Sequence, residues 1–122
     1  MAIIPWVRCT SMRASIEFYT GILDFERVDG NDDPDECPVV ILARDGNQLY
    51  LSSDDGLFGT IVVVTTPSVD DLFLEFRRRG LQTPGDPNAP LLVHEGPINQ
   101  TWGTREFYVE DPDGNTLRFT QY

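Results

Sequence analysis

At the start of the chain, the apolar residues are spaced as in a strand and then as in a helix. Residues 3–9 have the apolar content of a strand, and Pro5 within them indicates a sheet edge or a bulge. A helix is predicted from about Ser11, with Gly21 near its end. Its apolar face consists of residues at helical spacing, namely Met12, Ile16, Tyr19 and Leu23. A strand and an amphipathic helix are therefore predicted to open the fold.

Three further strands are predicted before residue 55. Residues 25–28 form a short strand, whereas the acidic stretch 29–36 has no apolar face and is predicted to be a loop. Residues 39–43 and 47–51 flank Asp45-Gly46, a dipeptide typical of a hairpin turn. The first half of the chain thus predicts a βαβββ unit.

The second half predicts the same order of elements. Residues 60–65, TIVVVT, form a continuous apolar strand, and Ser68 begins a helix that Gly80 ends. The apolar stripe of this helix consists of Val69, Leu72, Phe73 and Phe76. The stretch 83–97 is rich in proline and glycine and predicts a long loop.

A final hairpin, predicted over residues 101–110 and 115–121, repeats a motif of the first one. Asp-Gly-Asn-x-Leu occurs at 45–49 and again at 113–117, an offset of 113 − 45 = 68 residues. A chance match at a common hairpin turn is one explanation. Duplication of the βαβββ unit is the simpler one, because the preceding strands and helices correspond too.

Size and charge restrict the classes of function. The chain of 122 residues is predicted to be one α+β domain, 1–122, with internal repeats at about 1–55 and 57–122. Nine basic and twenty acidic residues give 9 − 20 = −11, a net charge that disfavours nucleic acid and anionic membranes and favours cationic partners. No secretory signal and no bilayer-spanning stretch is recognised, so a cytoplasmic location is predicted. Cys9 and Cys37 lack the spacing of a metal or redox site and predict free thiols.

Two sequence motifs resemble a known family. SMRASIEFYTGILDFE at 11–26 and WGTREFYVEDPDGNTLRFTQ at 102–121, together with the two βαβββ halves, resemble the glyoxalase, bleomycin-resistance and extradiol-dioxygenase group, the vicinal oxygen chelate superfamily. The resemblance covers essentially the whole chain. It implies two half-open sheets that enclose a cavity, paired within a homodimer.

In the metal-dependent members of that family, His or Glu side chains at four positions hold a divalent ion. The resemblance maps these positions to Ile4, Tyr50, Thr60 and Arg118. The internal offset also pairs Tyr50 with Arg118, because 118 − 50 is again 68. An aliphatic side chain has no lone pair and a guanidinium repels a cation, so no metal and no cofactor are predicted. No catalytic residue is predicted either, and the sole histidine, His94, stands in the proline-rich loop.

Among members of the family, the chain most resembles the metal-free bleomycin-resistance proteins, which bind an antibiotic and sequester it without chemistry. Trp102 matches a tryptophan on which, in those proteins, the heterocycles of the drug stack. The alternative is that Trp102 packs in the core or in the dimer interface. Those proteins also cover the other side of the drug with a phenylalanine, which is absent from residues 36–39 here; Phe58 or Trp6 could substitute for it.

Strand alternation predicts which side chains of residues 60–65 face the cavity. If Thr60 faces it, Val62 and Val64 do too, while Ile61 and Val63 face the helix.

The same reasoning applies to the other strands. The cavity side of the first strand is predicted to carry Ile4, Trp6 and Arg8. Tyr50 and Arg118 complete the set. An arginine there either grips an anionic group of a ligand or neutralises Glu106 and other nearby acids.

Three hypotheses follow. The leading one is a metal-independent, homodimeric binding protein of the bleomycin-resistance type that sequesters a planar aromatic, cationic compound such as a glycopeptide antibiotic. Its predicted ligand-binding residues are Trp102, Tyr50, Arg118, Thr60, Trp6 and Phe58. The second is a glyoxalase-like lyase or dioxygenase, and the third is a structural or interaction module with a filled cavity.

Overall fold

The computed structural model divides the chain into two compact units. Its described residues are 2–28, 33–53, 60–82 and 96–122. The first unit comprises Met1–Thr60 and Glu110–Asn115, and the second comprises Ile61–Val109 and Thr116–Tyr122.

Each unit is built around one four-stranded sheet and one α-helix. The elements in chain order are β1 (Trp6–Arg8), α1 (Met12–Gly21), β2 (Glu26–Arg27), a 3₁₀ turn (Pro34–Glu36), β3 (Val39–Arg44), β4 (Asn47–Ser52), β5 (Ile61–Thr65), α2 (Val69–Arg78), β6 (Ile98–Asn99), β7 (Arg105–Glu110) and β8 (Thr116–Gln121). The strand order is β1-β4-β3-β2 in one sheet and β5-β8-β7-β6 in the other. The predicted α+β fold of two repeated halves is therefore confirmed.

In the first unit, α1 and the hairpin begin and turn where the sequence predicts. Ser11 caps α1, and its Oγ accepts a hydrogen bond from the N–H of Ala14 over 3.2 Å. Asp45 and Gly46 both have positive φ, 51° and 79°, as a tight hairpin turn between β3 and β4 requires. The strand β1 begins only at Trp6, because Pro5 has no N–H to donate to a sheet.

In the second unit, α2 packs an aromatic face on the sheet. Ser68 caps the helix by accepting from the N–H of Asp71 over 3.3 Å. The rings of Phe76 and Phe119 lie 5.2 Å apart, and those of Phe107 and Phe119 stack at 5.0 Å. This core lies on the α2 side of the sheet, so the opposite side is left for other side chains.

The structure differs from the sequence prediction around β6 and β7. The short strand Ile98–Asn99 was not predicted, and β7 begins at Arg105 rather than at residue 101 because a turn containing Gly103, with φ of +98°, precedes it. Residues 29–32 of the predicted acidic loop and 83–95 of the predicted loop 83–97 lie outside the described residues, and the rest of the acidic loop forms the 3₁₀ turn Pro34–Glu36. Within the described segments, no helix has the length and apolar character to span a membrane.

Candidate functional site

A tight turn before β7 places Trp102 at the surface of the second unit. The N–H of Gly103 donates to the carbonyl of Gln100 over 3.2 Å, and the N–H of Gln100 donates to the carbonyl of Thr104 over 2.7 Å. Trp102, between them, is 60% exposed. Its indole is therefore not part of the core of this unit.

Glu106, on β7, is a fully buried carboxylate with donors at both oxygens. Arg118 donates from Nε to Oε2 over 2.8 Å and from Nη2 to Oε1 over 2.6 Å. The hydroxyl of Thr104 donates to Oε1 over 2.8 Å. The indole Nε1 of Trp102 makes a longer contact to the same oxygen, at 3.5 Å. One carboxylate thus ties the indole and the guanidinium together.

These donors keep Glu106 ionised. Burial by itself raises the pKa of a carboxyl group, but the hydrogen bonds from Arg118 and Thr104 outweigh it and leave the pKa of Glu106 below its ordinary value. The hydrogen bond to Glu106 in turn raises the pKa of Arg118. Of the two roles predicted for Arg118, neutralising Glu106 is the one present in the structure.

Arg118 also lies against two aromatic rings. Its Cζ is 5.5 Å from the ring centre of Trp102 and 5.8 Å from that of Tyr108, within the range of cation–π attraction. The guanidinium is therefore held by both a carboxylate and two π faces. We call Trp102, Thr104, Glu106, Tyr108 and Arg118 the Trp102 cluster.

A second pair of aromatic side chains lies in the first unit. In the parallel ladder of β1 and β4, Trp6 is opposite Tyr50, so the two side chains share a face of the sheet. Their ring centres are 5.6 Å apart and their planes are inclined at 43°. Trp6 is 46% exposed, whereas Val7, which alternates with it, is fully buried. By the same alternation Arg8 lies on the face of Trp6, in agreement with the predicted arrangement.

The predicted orientation of β5 is wrong by one residue. Val62 is opposite Leu117, which is fully buried, whereas Val63 is opposite Arg118. Val63 is 52% and Ile61 is 72% exposed. The odd-numbered residues of β5 therefore share the face of Arg118. A run of consecutive apolar residues has no polar position that would indicate which set faces the helix.

The register relates the mapped metal positions to the internal repeat. Tyr50 and Arg118 are equivalent in the repeat, and their partners on the neighbouring parallel strands are Trp6 and Val63. Counting back two residues, Ile4, which precedes β1, is equivalent to Ile61 of β5, and the mapped Thr60 is one residue before Ile61. Neither the aliphatic Ile61 nor the hydroxyl of Thr60 is a good ligand for a divalent ion.

Thr60 and Phe58 are the remaining predicted site residues. Thr60 lies in the first unit, where its N–H donates to Oδ1 of Asn115 over 2.9 Å. Phe58 and His94 lie outside the described residues. The predicted ligand contact of Phe58 stays a prediction.

The sequence analysis named Trp102, Arg118 and Glu106 but not Thr104 and Tyr108, which the structure places beside them. These two residues stand two positions before and two positions after Glu106, the acid for which neutralisation was predicted. Side chains two apart on a strand share a face. The signal was therefore present in the alternation of residues 104–108.

The side chains at the four mapped positions do not suit a divalent cation. Ile4 offers no donor atom, and the guanidinium of Arg118 carries only N–H donors, two of which are directed at Glu106. The ring of Tyr50 lies beside that of Trp6. In the part of the chain that the structure describes, no group of three or more His, Cys, Asp and Glu side chains is arranged to hold a metal ion.

Comparison with known families identifies the fold. The family model of the Glyoxalase/Bleomycin resistance protein/Dioxygenase superfamily matches residues 3–119. The chain belongs to this superfamily. The resemblance of the two sequence motifs is thereby confirmed.

Solved structures with this superfamily fold include a resistance determinant and a lyase. The chain is similar to a bleomycin resistance determinant encoded on transposon Tn5, with 20% identity over 99% of this chain and 97% of the other and a TM-score of 0.78. It is also similar to TioX from Micromonospora sp. ML1, with 15% identity, coverage of 99% and 98%, and a TM-score of 0.75. A lactoylglutathione lyase from Agrobacterium tumefaciens has 15% identity, coverage of 98% and 92%, and a TM-score of 0.71. These likenesses establish the fold alone.

No curated protein matches the chain significantly. The function has to be argued from the side chains of the site.

Proposed function

We propose that this superfamily member is a metal-independent small-molecule binding protein of the bleomycin-resistance type. In this proposal it acts as a cytoplasmic homodimer and sequesters a planar aromatic, cationic compound such as a glycopeptide antibiotic. The observation that carries the proposal is the presentation of Trp102, which is 60% exposed while Arg118 and Glu106 hold its ring in place.

An indole held in this way is suited to stacking. The indole of Trp102 is held at two places. Arg118 lies over the face of its ring, and its Nε1 is directed at Glu106. A ligand that stacks on such a ring loses little of its binding energy to ordering the protein. Aromatic pairs contribute about 0.5–1.5 kcal/mol beyond the area that they bury. Trp102 is therefore a favourable platform for a flat heterocycle.

The charge distribution supports a cationic ligand at long range rather than by direct pairing. The net charge of −11 attracts cations to the protein as a whole. Within the Trp102 cluster, however, Glu106 is already paired with Arg118. We therefore expect the cationic groups of the ligand to extend away from the stacked ring toward the acidic surface.

The same side chains argue against the lyase or dioxygenase alternative. Those activities in the superfamily use a divalent ion, and Ile4, Tyr50 and Arg118 cannot hold one. The likeness to a lactoylglutathione lyase concerns the fold and brings no ligand set with it.

Tryptophan fluorescence tests the proposal, because Trp6 and Trp102 are the two tryptophans of the chain. In Trp6→Phe, the emission of Trp102 should be quenched saturably by metal-free bleomycin or by another planar cation of a compound panel. In Trp102→Phe, the emission of Trp6 serves as the matched comparison. Trp102→Ala should weaken binding about tenfold or more, because it removes the stacking surface. No saturable quenching with any compound of the panel would contradict the proposal.

A metal titration examines the alternative directly. Lactoylglutathione lyase and dioxygenase assays with added Ni²⁺, Zn²⁺, Mn²⁺ or Fe²⁺ should give no turnover. Stoichiometric uptake of one of these ions with appearance of turnover would favour the enzymatic alternative and contradict the donor-set argument.

A further inference from the structure

Among the described residues of the second unit, one buried hydroxyl group has no hydrogen-bond partner. Thr120, on β8, is 2% exposed, and its Oγ1 has no partner in the described part of the chain. A buried polar atom without a partner costs stability, because it has lost its hydrogen bonds to water and gained none in return. Native proteins keep few such atoms, and functional sites are one place where they keep them.

Thr120 lies on the same face of the sheet as Arg118. The two residues are two positions apart on β8, so their side chains point to the same side. Phe119, between them, stacks on Phe107 in the core on the α2 side. Two residues of a strand span about 7 Å, so the two side chains leave the backbone of β8 about 7 Å apart on the face that carries Trp102's partner Arg118.

The hydroxyl of Thr104 provides a contrast within the same unit. Thr104 is also buried, at 8% exposure, but its Oγ1 donates to Glu106 over 2.8 Å. The hydroxyl of Thr104, a member of the Trp102 cluster, thus has a partner inside the protein, whereas that of Thr120 has none among the described residues. The missing partner is a property of position 120 and not of buried threonine in this unit.

We propose that Oγ1 of Thr120 is a hydrogen-bonding contact for the ligand that stacks on Trp102, an inference that rests on the proposed function. It adds a second requirement to the ligand: the planar aromatic ring carries an uncharged carbonyl or carboxamide group. A hydroxyl can donate to a carbonyl oxygen and accept from an amide N–H. The charge of Arg118 is compensated by Glu106, so this polar group needs no charge of its own.

Burial of the hydroxyl also defines how binding proceeds. Because Thr120 is only 2% exposed, the ligand reaches its hydroxyl only if the groups that cover it move. The hydrogen bond then replaces an unsatisfied state in the free protein. Ligand binding should therefore remove a destabilising feature as well as form a contact.

Thr120→Val tests the unsatisfied state, because valine has nearly the shape of threonine without the hydroxyl. In the free protein it should raise the melting temperature by about 2–5 °C. Thr104→Val should lower the melting temperature, since that hydroxyl has a partner. Thr116→Val, on the same face of β8 and half-buried, is the matched control and should change it little. A lower melting temperature for Thr120→Val would overturn the proposal.

A pair of compounds tests the ligand contact. Quinoline-2-carboxamide and quinoline share one flat ring system, and only the first has a carboxamide. Titrations followed by the indole N–H resonance of Trp102, assigned by its loss in Trp102→Phe, should show the carboxamide binding at least about fivefold more tightly. Thr120→Val should abolish that preference, whereas Thr116→Val should retain it.

The outcomes separate the two proposals. If both compounds shift the Trp102 resonance and Thr120→Val leaves their affinity ratio unchanged, the role of Thr120 is overturned and the stacking site stands. If neither compound shifts that resonance, stacking on Trp102 and the contact at Thr120 are both contradicted.

Discussion

At the scale of single residues, the protein stabilises its buried carboxylates in two different ways. Glu106 is paired with the guanidinium of Arg118. Asp111 instead accepts from neutral donors, which include the hydroxyl of Tyr19 at 3.0 Å and the amide of Asn115 at 2.9 Å. Burial, followed by the charge of Asp111, raises the pKa of Tyr19 and keeps its phenol protonated. The first arrangement belongs to the candidate site, and the second belongs to the packing of the first unit.

The Glu106 pair should make stability depend on pH. Since the pKa of Glu106 is lowered by folding, its contribution to the free energy of unfolding is present above the unfolded pKa of about 4.3 and is lost as pH falls through the lower folded pKa. Glu106→Gln should cost about 1–3 kcal/mol at pH 7 and show a smaller fall in stability between pH 7 and pH 3 than the wild type. Urea unfolding measured at both pH values checks this. Equal falls in the two proteins would contradict the assigned ion pair.

The two cysteines should differ in reactivity. Cys9 is 1% exposed, and burial, together with the charge of Asp113, raises the pKa of its thiol. Cys37 is half-buried and accepts a hydrogen bond from Arg27 at 3.4 Å. Mass spectrometry after treatment of the folded protein with iodoacetamide should find Cys37 modified and Cys9 unmodified. Cys37→Ser should remove that modification, and alkylation of Cys9 in the native protein would contradict the prediction.

At the scale of elements, the repeated Asp-Gly-Asn motif has two different environments. In the first repeat it forms only the exposed turn between β3 and β4, and Asp45 lies near the surface with Arg44 at 3.9 Å. In the second repeat the equivalent residue, Asp113, accepts hydrogen bonds from Thr10 and Ser15 at the N-terminal end of α1. A carboxylate is favourable at that end of a helix. The motif thus forms a hairpin turn in both repeats. In the second repeat, its aspartate also accepts hydrogen bonds at the N-terminal end of α1.

Substitution at the two equivalent positions measures this difference. Asp113→Ala should cost about 1–3 kcal/mol, because it removes the acceptor for three donors on Thr10 and Ser15. Asp45→Ala should cost at most about 1 kcal/mol, chiefly because alanine tolerates the positive φ less well. Chemical denaturation of the two variants provides the comparison. Similar costs at both positions would show that the hydrogen bonds of Asp113 contribute little.

The elements themselves could be predicted from sequence wherever local chemistry determines them. Caps at Ser11 and Ser68 and the turn at Asp45-Gly46 depend on a few neighbouring residues, and all three were confirmed. The orientation of β5 depends on which of its faces packs against α2. The sequence of an uninterrupted apolar strand does not indicate which face that is. The strand β6 has only two residues, too few for any periodic signal.

At the scale of the whole molecule, family and net charge were accessible from sequence, but the state of the site was not. The motif that includes Trp102 and Arg118 indicated the superfamily, which the match over residues 3–119 confirms. Sequence reasoning offered Glu106 as one possible partner of Arg118 and a ligand anion as the other, and the structure shows the ion pair with Glu106. The unpaired hydroxyl of Thr120 depends on its surroundings in three dimensions and has no signal in the sequence. The fold supports several activities in this superfamily, so the side chains of this site have to decide among them.

In the proposed function, Trp102 binds a small molecule without a metal ion. Isothermal titration calorimetry of the dialysed protein with metal-free bleomycin, carried out in EDTA, measures this binding. Saturable binding is expected in EDTA, and Trp102→Ala should weaken it about tenfold or more. Binding that is absent in EDTA and restored by a divalent ion would contradict the proposed function.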